Sequence, residues 1–321
     1  MSSTGTYSIP AVKGNSSEFV GSVASAEVLW ETFGTDENIK GSLVSGAKYE
    51  NGQIYFKTVD SYRKGNAVIA AKDASGTILW SWHIWLTDEP QEHVFNNNAG
   101  TMMDRNLGAT SAISGDVGAL GLLYQWGRKD PFLGSSSISS DVDAKSTIAW
   151  PSAVSSDSSN GTIEFTVQHP TTFITHNENN WDWYYTGSFS IDDTRWQSEK
   201  TIYDPCPAGW RVPDGGSNGV WSTAKGSSSE YSRSYDSTNE GMNFSGDFGE
   251  SSTIWYPASG FRDGFEGVLH NVGGHGYYWS VTPFDFAAYN LYFFSGGNVN
   301  QADYCSRAYG LSVRCLRDSF D

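Results

Sequence analysis

The C-terminal stretch that begins with Gly276-Tyr-Tyr-Trp-Ser280 alternates two kinds of sequence, and this alternation decides how the chain is interpreted. The regular pieces are Tyr277-Tyr-Trp-Ser280, Ala288-Tyr-Asn-Leu291 and Gly310-Leu-Ser-Val-Arg-Cys315, and the irregular ones are Phe284-Asp-Phe-Ala287 and Ala302-Asp-Tyr-Cys-Ser306. Runs that mix aromatic with small polar residues are typical of binding loops, because rings supply contact area while small polar groups adapt. The sequence therefore favours a recognition surface on a regular framework.

The first 90 residues read as short strands, which indicates an immunoglobulin-like β-sandwich. Asn51-Gly52 is a strong hairpin signal between two such strands. A further strand up to Leu86 places Trp80 and Trp82 on one face at a period of two. Polar residues and a proline at Asp88-Glu-Pro-Gln91 end that strand, so we expect domains 1–90 and 91–321 with the boundary between residues 86 and 95.

The second part is predicted to hold two helices among short strands and long loops. Gly118–Lys129 has Leu120, Leu123 and Tyr124 at helical spacing, and Ser217–Lys225 follows a start signal at Pro213-Asp214. A sandwich followed by a domain with helices and strands gives α+β as the expected fold class.

Five separated motifs resemble the paralogous-domain family of surface proteins in Bacteroidetes and Fibrobacter, over roughly residues 92–318. The motifs are Met103-Asp-Arg-Asn-Leu-Gly-Ala109, Leu123-Tyr-Gln-Trp-Gly127, Cys206-Pro-Ala-Gly-Trp-Arg-Val-Pro213, Gly276-Tyr-Tyr-Trp-Ser280 and Ser312-Val-Arg-Cys-Leu-Arg-Asp318. The resemblance implies a C-type-lectin-like fold akin to that of the formylglycine-generating enzyme. Some members of this lectin-like group are targets of diversity-generating retroelements, which rewrite adenines in a C-terminal repeat.

The first part resembles the β domain of fimbrial-tip-like proteins from gut Bacteroides. The residues that carry this resemblance are Gly5-Thr-Tyr-Ser-Ile-Pro-Ala-Val-Lys-Gly14, Gly65-Asn-Ala-Val-Ile69 and Trp80-Ser-Trp-His-Ile-Trp85. Because the beginning of the sequence lacks signal-peptide features, the chain is either cytoplasmic or the mature part of an exported protein. The resemblance favours the second, with a cell-surface location as a lipoprotein or at a pilus tip.

The net charge and the lengths of the apolar runs limit the classes of binding partner that are expected. The net charge is −16 and the pI is about 4.7, so the chain would repel phosphate backbones and nucleic acid is not expected as a ligand. No apolar run approaches the ~20 residues that a membrane helix needs, so no transmembrane segment is expected. The expected partner is a protein or glycan ligand on another cell or host surface, and pilus subunits are a further possibility.

Of the three cysteines, Cys206 and Cys315 lie in the two most regular motifs. The resemblance implies that the last strand of the lectin-like fold returns near the earlier segment, so a disulfide between these two cysteines is expected. Cys305 would then be unpaired, inside an irregular run. The alternative is that all three are reduced core thiols of a cytosolic protein.

The residues give little support to an enzyme, and no catalytic residue, cofactor or metal is expected. The histidines lack the spacing of a zinc site. Asp182 and Asp192-Asp193 lie near tryptophans, as in a sugar-cleaving cleft, but acidic pairs arise by chance in an acidic chain. A glycan-processing enzyme therefore remains the less favoured alternative to a binding protein.

The candidate ligand-binding residues come from the irregular runs and their neighbours. They are Phe284, Asp285, Phe286, Ala287, Tyr292, Phe294, Asp303, Tyr304, Ser306 and Tyr309, with Phe265 and His270. Retroelement targets vary AAC or AAT codons at the first two bases, and Phe, Asp, Ala, Tyr, Cys and Ser are all reachable in this way, whereas Gln and Trp are not. We expect one exposed patch on an adhesin-like binding protein. The alternatives are that the aromatic residues form the core of the terminal sheet, or that the chain is a structural pilus or surface subunit without diversification.

Overall fold

The computed structural model describes residues 1–33, 41–177, 180–187, 189–227, 233–249 and 254–319. The strands of the first part are β1 (Thr6–Pro10), β2 (Ser25–Thr32), β3 (Val44–Glu50), β4 (Gln53–Thr58), β5 (Gly65–Lys72) and β6 (Ile78–Leu86). Those that follow up to residue 211 are β7 (Glu92–Phe95), β8 (Gly100–Met103), β9 (Leu123–Gln125), β10 (Val154–Ser155), β11 (Ile174–Thr175) and β12 (Trp210–Arg211).

The remaining strands are β13 (Ser234–Asp236), β14 (Gly241–Asn243), β15 (Trp255–Pro257), β16 (Phe261–Arg262), β17 (Leu269–His270), β18 (His275–Phe284), β19 (Ala287–Phe294), β20 (Val299–Ser306), β21 (Gly310–Ser312) and β22 (Leu316–Arg317). The α-helices are α1 (Ile163–Gln168) and α2 (Val220–Lys225), and the 3-10 turns are Asn96–Asn98, Val117–Ala119 and Gly216–Asn218.

The fold is predominantly β, so the expected α+β class is wrong. Strands make up 37% and helices 7% of the described residues. The helix expected over Gly118–Lys129 is a 3-10 turn followed by β9, because Gly121 and Gly127 take positive φ angles of 75° and 80° that an α-helix excludes. The helix expected over Ser217–Lys225 is present in its second part, as α2.

The first part of the chain forms two three-stranded antiparallel sheets, ordered β1-β4-β3 and β2-β5-β6. Ile54 of the first sheet and Ile69 of the second are both fully buried in one shared apolar cluster. The Asn51-Gly52 hairpin is confirmed, with positive φ at both residues as a tight turn between β3 and β4 requires. Trp80 is buried in the same cluster, whereas Trp82 is half-buried.

Side chains of this first part also hydrogen-bond to the rest of the chain. Asn66 Nδ2 donates to the Gly108 carbonyl at 2.8 Å, and Trp85 Nε1 donates to the Ala109 carbonyl at 2.9 Å. Trp30 of β2 belongs to an apolar cluster made otherwise mainly of residues beyond position 100. The two parts of the chain therefore share packed surface.

The C-terminal half is built around a sheet of seven strands, ordered β17-β16-β21-β18-β19-β20, with β9 paired to β21. β18, β19 and β20 form an antiparallel meander of long strands. On one side of this meander Tyr278, Leu291 and Phe293 are fully buried in a second apolar cluster. On the other side Trp279 is fully buried in the cluster that contains Trp30.

A disulfide between Cys206 and Cys315 fastens a smaller sheet, ordered β12-β22-β8-β7, to this core. Both cysteines are buried, and 109 positions separate them in sequence. The pairing is the one that the resemblance implies, and Cys305 is unpaired and half-buried. The chain-entropy model gives up to about 4–5 kcal/mol for closing a loop of this length.

Candidate functional site

The two irregular runs lie side by side in the structure. Phe284-Asp-Phe-Ala287 forms the turn between β18 and β19, where Asp285 has a positive φ of 48°. Ala302-Asp-Tyr-Cys-Ser306 is the second half of β20, and Ser306 pairs with Ala287 across the ladder. Segments separated in sequence by a whole strand thus meet at one end of the meander.

Strand alternation divides the candidate residues between two sides of the sheet, because successive side chains point to opposite faces. Tyr292 pairs with Tyr277 on one side, and Tyr289 pairs with Tyr304 on the other. The single continuous patch expected from the sequence is therefore two clusters of rings.

The larger cluster, which we name the aromatic face, is a continuous set of half-buried rings. The Tyr277 and Tyr292 ring centroids are 4.7 Å apart, and His275 and Phe294 adjoin Tyr292 at 5.7 and 6.3 Å. Phe261 continues the cluster, with its centroid 5.2 Å from that of Tyr277. The members of the aromatic face are Phe261, His275, Tyr277, Tyr292, Phe294 and Tyr309.

The smaller cluster, which we name the edge pair, consists of Phe284 and Tyr304. The two ring centroids are 4.2 Å apart, and the side chains are 37% and 53% exposed. Tyr289 supports the pair from within the sheet, with its ring 5.0 Å from that of Phe284. The edge pair is the most exposed aromatic part of the meander.

The other candidate residues have different positions. Ala287 and Ser306 are buried, because both lie within paired strands and Ser306 Oγ donates to the Trp181 carbonyl, so they add no exposed surface. Phe286 is half-buried and its ring approaches that of Phe189 at 6.5 Å. Phe265 is 65% exposed and contacts the His176 ring.

His270 adjoins the aromatic face through Phe261, whose ring centroid is 5.7 Å away. Its Nε2 lies 3.3 Å from a carboxylate oxygen of Asp263. Asp303 is half-buried, and burial raises the pKa of its carboxyl group. Burial also raises the pKa of the Cys305 thiol, and the nearby Asp303 carboxylate adds to this effect, so Cys305 is not an activated nucleophile.

Arg307 holds the turn that carries the first irregular run. The side chain is fully buried, and its Nε and Nη2 donate to the carbonyls of Ala287 and Asp285 at 2.9 and 3.0 Å. It also donates hydrogen bonds to the Asp192 carbonyl and the Asp193 carboxylate, at 3.1 and 2.6 Å. One guanidinium thus joins the turn to the loop before residue 195.

The acidic residues that suggested a sugar-cleaving cleft already have partners: Asp182 and Asp193 are in ion pairs, and Asp192 accepts hydrogen bonds from Thr194. Asp182 is buried and pairs with Arg195, and Asp193 pairs with Arg307. Trp183 and Trp196 are buried, and among the tryptophans of this segment Trp181 is the exposed one, at 65%. Within the described ranges no group of three or more His, Cys, Asp or Glu side chains is arranged to hold a metal ion.

Sequence reasoning missed Phe261, His275 and Tyr277. Tyr277 was assigned to the regular framework because it lies in the Gly276-Tyr-Tyr-Trp-Ser280 motif. The period-two alternation His275, Tyr277, Trp279 would have placed His275 and Tyr277 on one side of a strand. Phe261 could not have been found in this way, because β16 has only two residues and reaches Tyr277 through tertiary packing.

Comparison with protein-family models, curated proteins and solved structures finds no match for this chain. In the part of the chain that the structure describes, none of the helices has the length and apolar character that crossing a bilayer would require.

Proposed function

We propose that this protein is an adhesin-like binding protein of the cell surface or pilus tip, and that its ligand binds the aromatic face. The observation that carries the proposal is the continuity of that face, six adjoining rings that are all partly exposed. Contiguous aromatic surface of this kind marks interaction sites, since a ligand that covers it buries the remaining exposed area of several adjoining rings at once. Tyrosine contributes strongly at such sites because it offers a large ring and a polar hydroxyl.

The framework supports this role because it keeps the rings fixed. Tyr277 and Tyr292 occupy paired positions in two long strands, and the Tyr292 hydroxyl lies 3.2 Å from His275 Nδ1. A pre-ordered surface loses little conformational entropy when a ligand binds. The ligand class that fits is a protein or glycan with apolar patches on another cell or host surface.

The experiment is an adhesion assay with beads that carry the full chain, after a glycan array and a pull-down from bacterial and host cells have identified a ligand. Tyr292→Ala and Phe294→Ala should each weaken binding about tenfold or more, as truncation of an aromatic anchor does. Phe19→Ala is the matched control, because Phe19 is 45% exposed and lies in the first part of the chain. Equal binding by all three variants would refute the assignment of the aromatic face.

The more specific part of the proposal is that a diversity-generating retroelement varies the residues of this surface. The two irregular runs contain only residues that AAC or AAT codons reach by changes at the first two bases, and they are adjacent across β19 and β20. We expect the DNA near the gene to contain a reverse transcriptase and a near-copy of the 3′ end that differs at adenines. Differences spread equally over all four bases would argue for an undiversified adhesin or a structural subunit.

A further inference from the structure

A cleft separate from the aromatic face lies between the segments 143–153 and 262–268, with a volume of about 640 Å³. Sites for small ligands usually measure about 300–1,000 Å³, so this cleft has the size of a ligand site. Residues 132–133 and 171–173 complete its lining.

Aromatic side chains form the apolar wall of the cleft. Phe132 and Phe173 are 2% and 6% exposed, and their rings pack edge to face at 5.0 Å. Trp150 is half-buried, with its ring 6.1 Å from that of Phe132, and its Nε1 donates to Ser146 Oγ at 2.8 Å. The hydrogen bond fixes the orientation of the indole, so the wall is ordered without a ligand.

The polar side of the cleft carries a donor next to an acceptor. Arg262 Nε and Nη1 donate to the carbonyls of Leu133 and Gly267 at 2.9 and 2.7 Å, which fixes the guanidinium. Its Nη2 pairs with the carboxylate of Asp143, whose side chain is 63% exposed. A guanidinium can only donate and an ionised carboxylate can only accept, so this pair complements two neighbouring hydroxyl groups.

The charges that line the cleft balance. Asp143 and Glu266 are opposed by Lys145 and Arg262. A strongly charged ligand would gain nothing from this balance, whereas a neutral one with hydroxyl groups and an apolar face would meet complementary groups. We propose that the cleft binds a neutral carbohydrate, whose C–H face packs on Trp150 and whose hydroxyl groups bond to Asp143 and Arg262.

The cleft is distinct from the aromatic face, although both use β16. Phe261 and Arg262 are adjacent in that strand, so their side chains leave it on opposite sides. Carbohydrate binding in the cleft therefore does not depend on the function proposed for the aromatic face.

The test uses the full chain and an array of neutral oligosaccharides with sialylated and sulfated ones for comparison, followed by titration calorimetry with the strongest neutral binder. Trp150→Ala should weaken binding about tenfold, the loss typical of an aromatic anchor. Asp143→Ala should weaken it severalfold, because the variant removes the acceptor for a sugar hydroxyl while the largely exposed side chain leaves the apolar wall intact. The matched control is Asp60→Ala, at a side chain that is 93% exposed and outside the cleft lining.

Each outcome of these titrations either supports or overturns carbohydrate binding in the cleft. Neutral binding that is weakened by Asp143→Ala but not by Asp60→Ala supports the proposal, even if the Trp150 variant fails to fold. The proposal is overturned if no neutral glycan gives a saturable titration, if acidic glycans bind more tightly, or if Asp143→Ala binds as the parent does. Neutral-glycan binding that is lost in Tyr292→Ala but kept in Asp143→Ala would place the sugar on the aromatic face and overturn the cleft proposal alone, so failure in the cleft and failure at the aromatic face are distinguishable.

Discussion

At the scale of single residues, the apolar side chains of the motifs around the disulfide lie in the core with one exception. Val212, Trp279, Leu311 and Val313 are fully buried. Trp210 is the exception, because it lies at the end of its sheet in β12 and is half-buried beneath the Arg317 guanidinium, 5.5 Å away. Apolar character therefore predicts burial at these four positions and fails at the sheet edge, where Trp210 has a neighbouring strand on one side only.

Trp279→Ala should lower the free energy of unfolding by about 3–5 kcal/mol, because it leaves a large cavity in a packed core. It also removes the donor to the Tyr124 carbonyl, which Trp279 Nε1 reaches at 2.8 Å. Trp181→Ala, at a side chain that is 65% exposed, should change stability by about 0.5 kcal/mol or less. Urea unfolding followed by circular dichroism measures the free energy of unfolding of both variants. Equal losses would contradict the assignment of Trp279 to the core and Trp181 to the surface.

The second residue-scale prediction concerns His83, where burial lowers the pKa of the imidazole to about 3. Its Nε2 lies 2.9 Å from Asn66 Oδ1, and its Nδ1 lies 3.4 Å from the Tyr124 hydroxyl, an arrangement that suits the neutral ring. Below pH 6.5 the imidazole takes up a proton in the unfolded chain but not in the folded one. The contribution of the neutral His83 ring to the free energy of unfolding is therefore complete above pH 6.5. It is lost as the pH falls from 6.5 towards 3, by at most about 1.4 kcal/mol per pH unit.

His83→Gln should reduce this acid sensitivity, because glutamine does not titrate. The measurement is the free energy of unfolding in urea at several pH values between 7 and 4, for the parent and the variant. If the difference between the two is constant over that range, His83 is not held neutral by the fold.

At the scale of elements, one buried guanidinium organises the turn between β18 and β19. Arg307 donates hydrogen bonds to backbone carbonyls of that turn and to the Asp192 carbonyl in the loop before residue 195. It also packs over the Trp126 ring at 4.4 Å. Burial lowers the pKa of its guanidinium, and the nearby Asp182 and Asp193 carboxylates act in the opposite direction. The irregular run Phe284-Asp-Phe-Ala287 needs no regular sequence pattern, because hydrogen bonds from this side chain hold its backbone in one conformation.

Arg307→Ala should therefore cost about 1–3 kcal/mol of stability or more, because the carbonyls of Asp192, Asp285 and Ala287 lose their donor. Arg307→Lys should also be destabilising, since a single ammonium cannot replace the planar fork that reaches several carbonyls. Arg317→Ala is the control, because Arg317 is 54% exposed and its pair with Glu92 should contribute only about 0–1 kcal/mol. Chemical denaturation compares the three, and a loss at Arg307 no larger than that at Arg317 would contradict the role described.

At the scale of the whole molecule, the division into domains 1–90 and 91–321 remains a prediction. It can be tested at the connection between the two parts. Between β6 and β7 the chain runs through Asp88 and Glu89, which are both exposed. The strands on either side are hydrogen-bonded to neighbours, β6 to β5 and β7 to β8. Hydrogen bonds such as that from Trp85 Nε1 to the Ala109 carbonyl join the parts beside this connection.

Within residues 78–103 a broad-specificity protease should cut first between positions 87 and 91, because paired strands resist cleavage while exposed connections do not. Mass spectrometry of the earliest fragments identifies the cut. A first cut inside Trp80–Leu86 would mean that β6 is less stable than the connection and would remove the predicted boundary.

The sequence by itself determined the local features, because these depend on neighbouring residues. The Asn51-Gly52 hairpin follows from turn chemistry, and the strand β6 with Trp80 and Trp82 on one side follows from period-two patterning. The aromatic character of the C-terminal surface was also evident, since the rings occur in runs that no core requires. Helical spacing misled at Gly118–Lys129, where glycines with positive φ stop the helix that the apolar residues indicate.

Only the tertiary structure decided which rings share a surface. Tyr292 and Tyr304 lie twelve positions apart and both looked exposed, yet the register of β18, β19 and β20 sends them to opposite sides of the sheet. Phe261 joins Tyr277 through a two-residue strand, and the cleft beside Arg262 draws on segments from positions 132 to 268. Such groupings depend on strand register and on long-range packing, in which a shift of one residue exchanges every side chain between the two faces.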